Sequence, residues 1–459
     1  MPRWSLCALL LVGCQLTTPP DAPEIGSSGP AHVATSDNSS DRADAIEELR
    51  RIGPRGLQAL FSAYPAAVAA LRRGARGDER IERVRTAITS VAKQHDAHFS
   101  RLYWYTDLER AKKASARDRK PILSLRLLGR LDQELSCANS RLFRTVIYAN
   151  EEISSYLRSN FVLHWESVRR VPTVRVEFEN GRTLTTTASG NSIHYVLNSE
   201  GSLLDAIPGL YGAQPFGDAL RRAAELFDEI EELSPPDQLA RVRRYHVERI
   251  EALSAQRTVD FGRAGLNATE RRSLLNEASV TATRINQPMA LGPNDPVEID
   301  TEVFAKAPPL SNNFATAGKD SVESGITLTL TPTIARRLPA LNPFWLRVSR
   351  SSESVVRLDE RSNDLLRTHI STPVDGRATT RVRRRLEQNL AIDTTRNEYV
   401  LHMAIHHFMK LKPAPPLDAF TRHVYAHLFD APLHDPWSGL LDRDTYNGLV
   451  RHGLSEEEE

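Results

Sequence analysis

Cysteine is the residue of this sequence best suited to nucleophilic or redox chemistry, and one copy lies in the body of the chain. The sequence contains three cysteines, and Cys7 and Cys14 are both near its N-terminus. If export removes Cys7 and acylates Cys14, Cys137 is the one thiol left and no internal disulfide can form. Three interpretations stay open for it: a small buried apolar side chain, a monothiol that exchanges disulfides, or a redox sensor.

Four histidines near the C-terminus have the spacing of metal ligands on helices. His402 and His406 are four residues apart, and so are His423 and His427. Residues at i and i+4 share a helical face, so two such pairs on packed helices could surround a tetrahedral zinc ion. Histidines at a helix interface show the same spacing. We therefore predict no metal and no other cofactor, and keep these four residues as the candidates if a metal binds.

A second polar group precedes these histidines. Asp393, Arg396 and Glu398 stand where we expect a long helix to open, and aspartate is a favoured N-cap residue. We predict that Asp393 caps this helix and has no catalytic role. The sequence contains no glycine-rich phosphate loop and no nucleophile elbow, so Cys137 alone supports an enzyme and we do not favour one.

The N-terminus has the pattern of a secretory signal. Arg3 precedes a short apolar run, Trp4 to Gly13, that ends at Cys14. This run is too short to span a bilayer, which needs about 20 residues. Leu11-Val12-Gly13-Cys14 resembles the lipobox of bacterial lipoproteins, which implies acylation of Cys14 and, with Gln15 next, delivery to the outer membrane, facing the periplasm or the surface. An ordinary cleaved signal, or an apolar N-terminus without an export role, are the alternatives.

Composition separates this segment from the body of the chain. Residues 14–44 are poor in large apolar side chains and rich in Ser, Pro, Gly and Asp, which predicts a flexible tether. The formal net charge of the whole chain is +1, which gives no support to a nucleic-acid partner. We expect the partners to be the membrane, through the lipid anchor, and other envelope proteins.

Periodicity predicts helices on both sides of a central region of alternating strands and helices. Residues 45–100 have helical spacing, with breaks at Gly53-Pro54 and Pro65. Residues 101–233 contain four expected strands and a hairpin around Asn180-Gly181. The strands are Ile122–Leu128, Phe161–Trp165, Ile193–Leu197 and Leu203–Ile207. We expect a helical arm (234–290) and a linker (291–324) to follow. After them should come a mostly helical region (325–455), with short strands at 326–330 and 345–348, and an acidic tail (456–459).

The central region resembles the thioredoxin-like superfamily. The resemblance rests on the order of Trp104, Lys120-Pro121, Cys137, Asn150-Glu151-Glu152-Ile153 and Pro208-Gly209. It implies that Cys137 begins a helix, where the helix dipole favours the thiolate. The first two strands should be parallel, because the connection between them contains a helical crossover. The predicted fold class is therefore α+β, with a central thioredoxin-like α/β domain flanked by helical regions.

Three departures from that family bear on activity. The motif is Cys137-Ala-Asn-Ser140, so a serine stands where the family has its resolving cysteine. The approach to it, residues 129–135, is longer than in the family, and neither Ser192 nor Ile193 supplies the cis-proline that faces the attacking sulfur. These departures argue against dithiol chemistry.

We therefore expect a lipid-anchored envelope protein whose degenerate domain acts as a binding or assembly module. Monothiol exchange is the alternative, with Cys137 as the nucleophile and Ser140 as a hydrogen-bond donor to it. A metal-binding C-terminal helical module is the third hypothesis.

Overall fold

The computed structural model describes residues 29–188, 190–289, 343–352, 356–370 and 376–435. The predicted export signal with Cys14, the linker, the strand at 326–330 and the acidic tail lie outside the described residues. Within the described ranges, no helix is both long and apolar enough to cross a membrane.

The N-terminal part is helical, as predicted. Pro54 and Pro65 each occupy the first turn of a helix. Proline lacks an N–H, but an N–H at this position would have no hydrogen-bond partner within the helix. Asn38 and Asp78 cap two other helices through their side chains. The helices are α1 (Pro30–Val33), α2 (Ser39–Ile52), α3 (Pro54–Ala63), α4 (Pro65–Arg72), α5 (Glu79–Ala92) and α6 (Ala97–Ser100).

The predicted tether was too long at its C-terminal end. Helix α1 lies within it and α2 begins within it, and Ala31 and Ala34 are buried. This stretch has few large apolar side chains, but its small alanines are enough to bury the helix against its neighbours.

A mixed four-stranded sheet forms the centre of the fold, which is α+β as predicted. Its order is β2 (Val162–Arg169), β1 (Ile122–Leu128), β5 (Ser192–Leu197), β6 (Leu203–Pro208). β1 and β2 are parallel, whereas β5 is antiparallel to β1 and β6 to β5. The predicted four strands thus share one sheet, and the parallel first pair is confirmed. The predicted hairpin forms a separate sheet of β3 (Thr173–Glu177) and β4 (Thr183–Thr187).

The central strands are buried on both faces because helices lie on both sides. Every residue of β1, β5 and β6 is buried, which is the burial expected of a sheet covered twice. The surrounding helices are α7 (Leu108–Asp118), α8 (Ala138–Leu142), which continues as a π-helix (Phe143–Ile147), α9 (Glu151–Asn160) and α10 (Ala213–Ile230).

The C-terminal part is helical and packs on the sheet. The Nδ2 of Asn397 donates to the carbonyl of Leu210 at 2.7 Å, and the amide of Gly212 donates to Thr394 Oγ1 at 2.8 Å. Gly209 lies at φ 78°, and a Cβ there would be 2.5 Å from Asn397 Nδ2. The helices are α11 (Pro235–Arg263), α12 (Ala268–Ile285), α13 (Pro343–Ser351), α14 (Glu360–His369), α15 (Gly376–Arg396), a π-helix (Asn397–His402), α16 (Met403–Leu411) and α17 (Leu417–His427).

Two predictions in the C-terminal part were wrong. The expected strand 345–348 is part of α13, because Trp345 and Val348, three residues apart, are both buried on one face. Asp393 is no N-cap, because α15 begins at Gly376 and Asp393 lies well inside it. Burial raises the pKa of Asp393 to about 7, and Arg396 is paired with Glu277 at 2.6 Å.

Candidate functional site

Cys137 stands at the start of a helix, as predicted. β1 ends at Leu128, Gly129 turns the chain at φ 76°, and Cys137 is the N-cap of α8. The Cys137 amide donates to the Leu128 carbonyl at 3.1 Å, which ties the helix start to the end of the central strand.

Arg144 holds the long approach between β1 and Cys137. Its side chain is buried and its guanidinium donates to the carbonyls of Leu131, Gln133 and Glu134. Its Nε lies 3.7 Å from Asp96 Oδ2. Burial lowers the pKa of Arg144 to about 10. One guanidinium therefore satisfies three backbone carbonyls of the segment between β1 and α8.

The Cys137 thiol is enclosed by polar groups of its own motif. Its Sγ donates to Ser140 Oγ at 3.3 Å and to the Asn191 carbonyl at 3.5 Å. Ser140 Oγ in turn donates to Ser136 Oγ at 2.8 Å. Cys137 and Ser140 are both 0% exposed. The predicted pair therefore comes together, but neither side chain reaches the solvent.

A residue of the C-terminal helix α17 shares a hydrogen-bond acceptor with this thiol. The Tyr425 hydroxyl, on α17, donates to the carbonyls of Asn191 and Arg126, each at 3.4 Å. Tyr425 is 0% exposed, and burial raises the pKa of its phenol well above the usual value, so it stays a donor. The Asn191 carbonyl therefore accepts from both the Cys137 thiol and the Tyr425 hydroxyl, which links α17 to the cysteine motif.

Asn191 and Ser192 lie next to the Cys137 thiol, just before and at the start of β5. No peptide bond among the described residues is cis. Here the Asn191 carbonyl accepts a hydrogen bond from the Cys137 thiol and a second one from the Tyr425 hydroxyl. The chemistry open to this arrangement is that of one thiol without a second sulfur to resolve a mixed disulfide.

The four predicted histidines do not form one site. His402 Nε2 lies 3.1 Å from Asp205 Oδ1, and its ring stacks on His406 at 4.2 Å between centroids. His423 Nε2 instead donates to the Ile285 carbonyl at 2.6 Å, as an interfacial histidine would. His427 packs against His423.

A different group brings possible metal ligands together. Over the described ranges, the one set of three or more His, Cys, Asp or Glu with ligand atoms within 4.8 Å of each other is Asp205, His246 and His406. Sequence reasoning missed Asp205 and His246. The signal available was Asp205 itself, a charged residue inside the apolar strand Leu203–Pro208, where burial requires a partner.

The comparisons with known proteins add no relative. No family model matches the chain, and no curated protein matches it in sequence.

Proposed function

We propose that this chain is a lipid-anchored envelope protein whose thioredoxin-like domain is a non-catalytic assembly module. The mixed sheet with its parallel first pair, and Cys137 at a helix start beside β1, support the thioredoxin-like assignment. The envelope location rests on the lipobox-like segment that ends at Cys14. Other envelope proteins are the expected partners.

The observation that carries the non-catalytic assignment is the burial of Cys137 beneath α17. A disulfide substrate must bring its sulfur into line with the attacking thiolate. The Cys137 thiol is instead 0% exposed and bonded to the Asn191 carbonyl, which also accepts from the buried Tyr425 hydroxyl. The domain therefore uses this face to hold its own C-terminal helix.

Disulfide-reduction turnover tests this proposal. The wild-type chain should show no turnover above background, because its thiol is enclosed and no second cysteine can resolve a mixed disulfide. The Cys137→Ser variant should give the same background rate and remain folded, since a hydroxyl is close in size to the thiol. Ser140→Ala, which keeps the sulfur, is the matched control and should behave likewise.

Turnover by the wild type that disappears in Cys137→Ser would contradict the proposal and establish monothiol exchange. That alternative is favoured by one observation, the position of the sulfur at a helix start with Ser140 Oγ 3.3 Å away.

Lipid labelling tests the envelope assignment. In cells that process lipoproteins, Cys14→Ser should abolish incorporation of labelled fatty acid and remove the protein from the membrane fraction, because acyl chains supply the anchor. Cys7→Ser is the matched control, and its labelling should equal that of the wild type. Undiminished labelling of Cys14→Ser would show that the segment is not a lipobox.

A further inference from the structure

The buried group around Asp205 joins three separate elements of the fold. Asp205 lies on β6, the edge strand of the sheet, whereas His246 lies on α11 and His406 on α16. All three side chains are 0% exposed. The group therefore lies at the junction between the sheet and the C-terminal helices.

The ligand atoms of this group converge. The Nδ1 atoms of His246 and His406 are 2.8 Å apart, and His406 Nδ1 is 3.9 Å from Asp205 Oδ1. Ligands of a tetrahedral zinc ion, bound at about 2.0–2.1 Å, are about 3.3 Å from each other. These separations bracket that value, so small side-chain adjustments suffice to admit an ion.

Two side chains next to this group hold its carboxylate in place. His402 Nε2 is 3.1 Å from Asp205 Oδ1, and the His402 ring stacks on that of His406. The other carboxylate oxygen, Asp205 Oδ2, accepts from the Tyr245 hydroxyl at 2.6 Å. Such a bond fixes the carboxylate and is typical of the groups that orient metal ligands.

The negative charge of the buried Asp205 carboxylate also has to be balanced by a cation. Among the described residues, the groups within ion-pair distance of its carboxylate are imidazoles, His402 and His406, and Tyr245 and the Ala206 amide are neutral donors. A buried carboxylate without a cation is strongly unfavourable. One protonated imidazole would balance the charge, but three imidazoles around one carboxylate are more than a counter-ion requires.

We propose that Asp205, His246 and His406 bind a zinc ion. Imidazole and carboxylate donors without a thiolate suit Zn²⁺, and the complete burial of the site fits a structural role. The ion would fasten the edge strand β6 to α11 and α16. This inference is independent of the proposed assembly role and of Cys137.

Metal loading of the purified full chain tests the site. After incubation with Zn²⁺ and removal of free metal, the wild type should retain about one zinc per chain, and Co²⁺ should give the visible absorption of four-coordinate cobalt. Asp205→Asn and His246→Gln should each retain less than about a tenth of that amount, because each removes one ligand. His407→Gln, the neighbour of His406, is the matched control and should retain the wild-type amount.

A second measurement covers variants that do not fold. Chelator treatment of the wild type should lower its thermal midpoint, and added Zn²⁺ should restore it, because an ion bound to the native state stabilises that state. A folded wild type that retains no zinc, or Asp205→Asn and His246→Gln variants that retain as much as the wild type, would overturn the proposal. So would a thermal midpoint that neither chelator nor zinc changes.

Discussion

Acidification should unfold this protein at a mildly acidic pH, because several histidines are buried in the neutral form. Burial lowers the pKa of His194 and of His164 to about 3, and that of His98 to about 4. In the unfolded chain each imidazole titrates near its usual pKa of about 6.5. The unfolded state therefore binds protons below that pH that the folded state does not bind.

The sign and size of this effect follow from proton linkage. A histidine whose pKa is lowered on folding contributes its full stabilisation above about pH 6.5. This stabilisation is lost as the pH falls toward the pKa of about 3–4 in the folded state. Each such histidine reduces the free energy of unfolding by about 1.4 kcal/mol per pH unit, so three give about 4 kcal/mol per unit. Total stabilities are about 5–15 kcal/mol. We expect unfolding near about pH 5.

Urea unfolding at pH 7.0, 6.0 and 5.5 measures this slope. His194→Phe should reduce the loss of unfolding free energy between pH 7.0 and 5.5 by about 1.2 kcal/mol, because it removes one buried imidazole and places an aromatic ring beside Phe143 and Phe216. His434→Gln is the matched control, since the His434 side chain is exposed. A free energy of unfolding that stays constant between these pH values would contradict the prediction.

Removal of the Tyr425 side chain should expose the Cys137 thiol. Truncation of a buried aromatic side chain costs about 3–5 kcal/mol, and here it also removes the two hydrogen bonds to the Asn191 and Arg126 carbonyls. Each 1.4 kcal/mol by which opening of α17 becomes easier speeds access tenfold. Tyr425→Ala should therefore raise the rate of Cys137 modification about 100-fold or more.

Tyr425→Phe is the matched variant for this measurement. It keeps the ring and loses the hydroxyl, whose hydrogen bonds are each worth about 1 kcal/mol, so its rate should rise by no more than about thirtyfold. Both rates are compared under conditions where urea unfolding shows each variant to be folded. If the wild-type thiol reacts slowly and Tyr425→Ala reacts at the same rate, α17 does not cover the thiol.

The central sheet could be predicted because its signals are local. The strand Ile122–Leu128 has the predicted bounds, since Pro121 and Gly129 mark its ends and every side chain between them is either apolar or buried with a partner. The hairpin was equally visible in Asn180-Gly181. The position of Cys137 at a helix start followed from the order of these elements and from the resemblance.

Contacts between distant parts of the chain could not be predicted in this way. Nothing in the sequence near Cys137 indicates that Tyr425 lies over it, because the two are joined through packing of α17 on the sheet. The pairing of Asp205 with histidines from two helices has the same origin. Trp345 was misassigned for a local reason, since a segment this short fits the spacing of a strand as well as that of a helix.

The reactivity of Cys137 in the native wild-type chain is the most direct test of a non-catalytic domain. A small thiol reagent would be added to the folded chain and to the chain in urea, and modification read by mass spectrometry at the peptide that carries Cys137. A thiol enclosed by Asn191 and α17 reacts only when the structure opens, so the native rate should be at least about 1000-fold slower than the unfolded one. A native rate within about tenfold of the unfolded rate would show an accessible thiol and contradict the assignment of this domain as an assembly module.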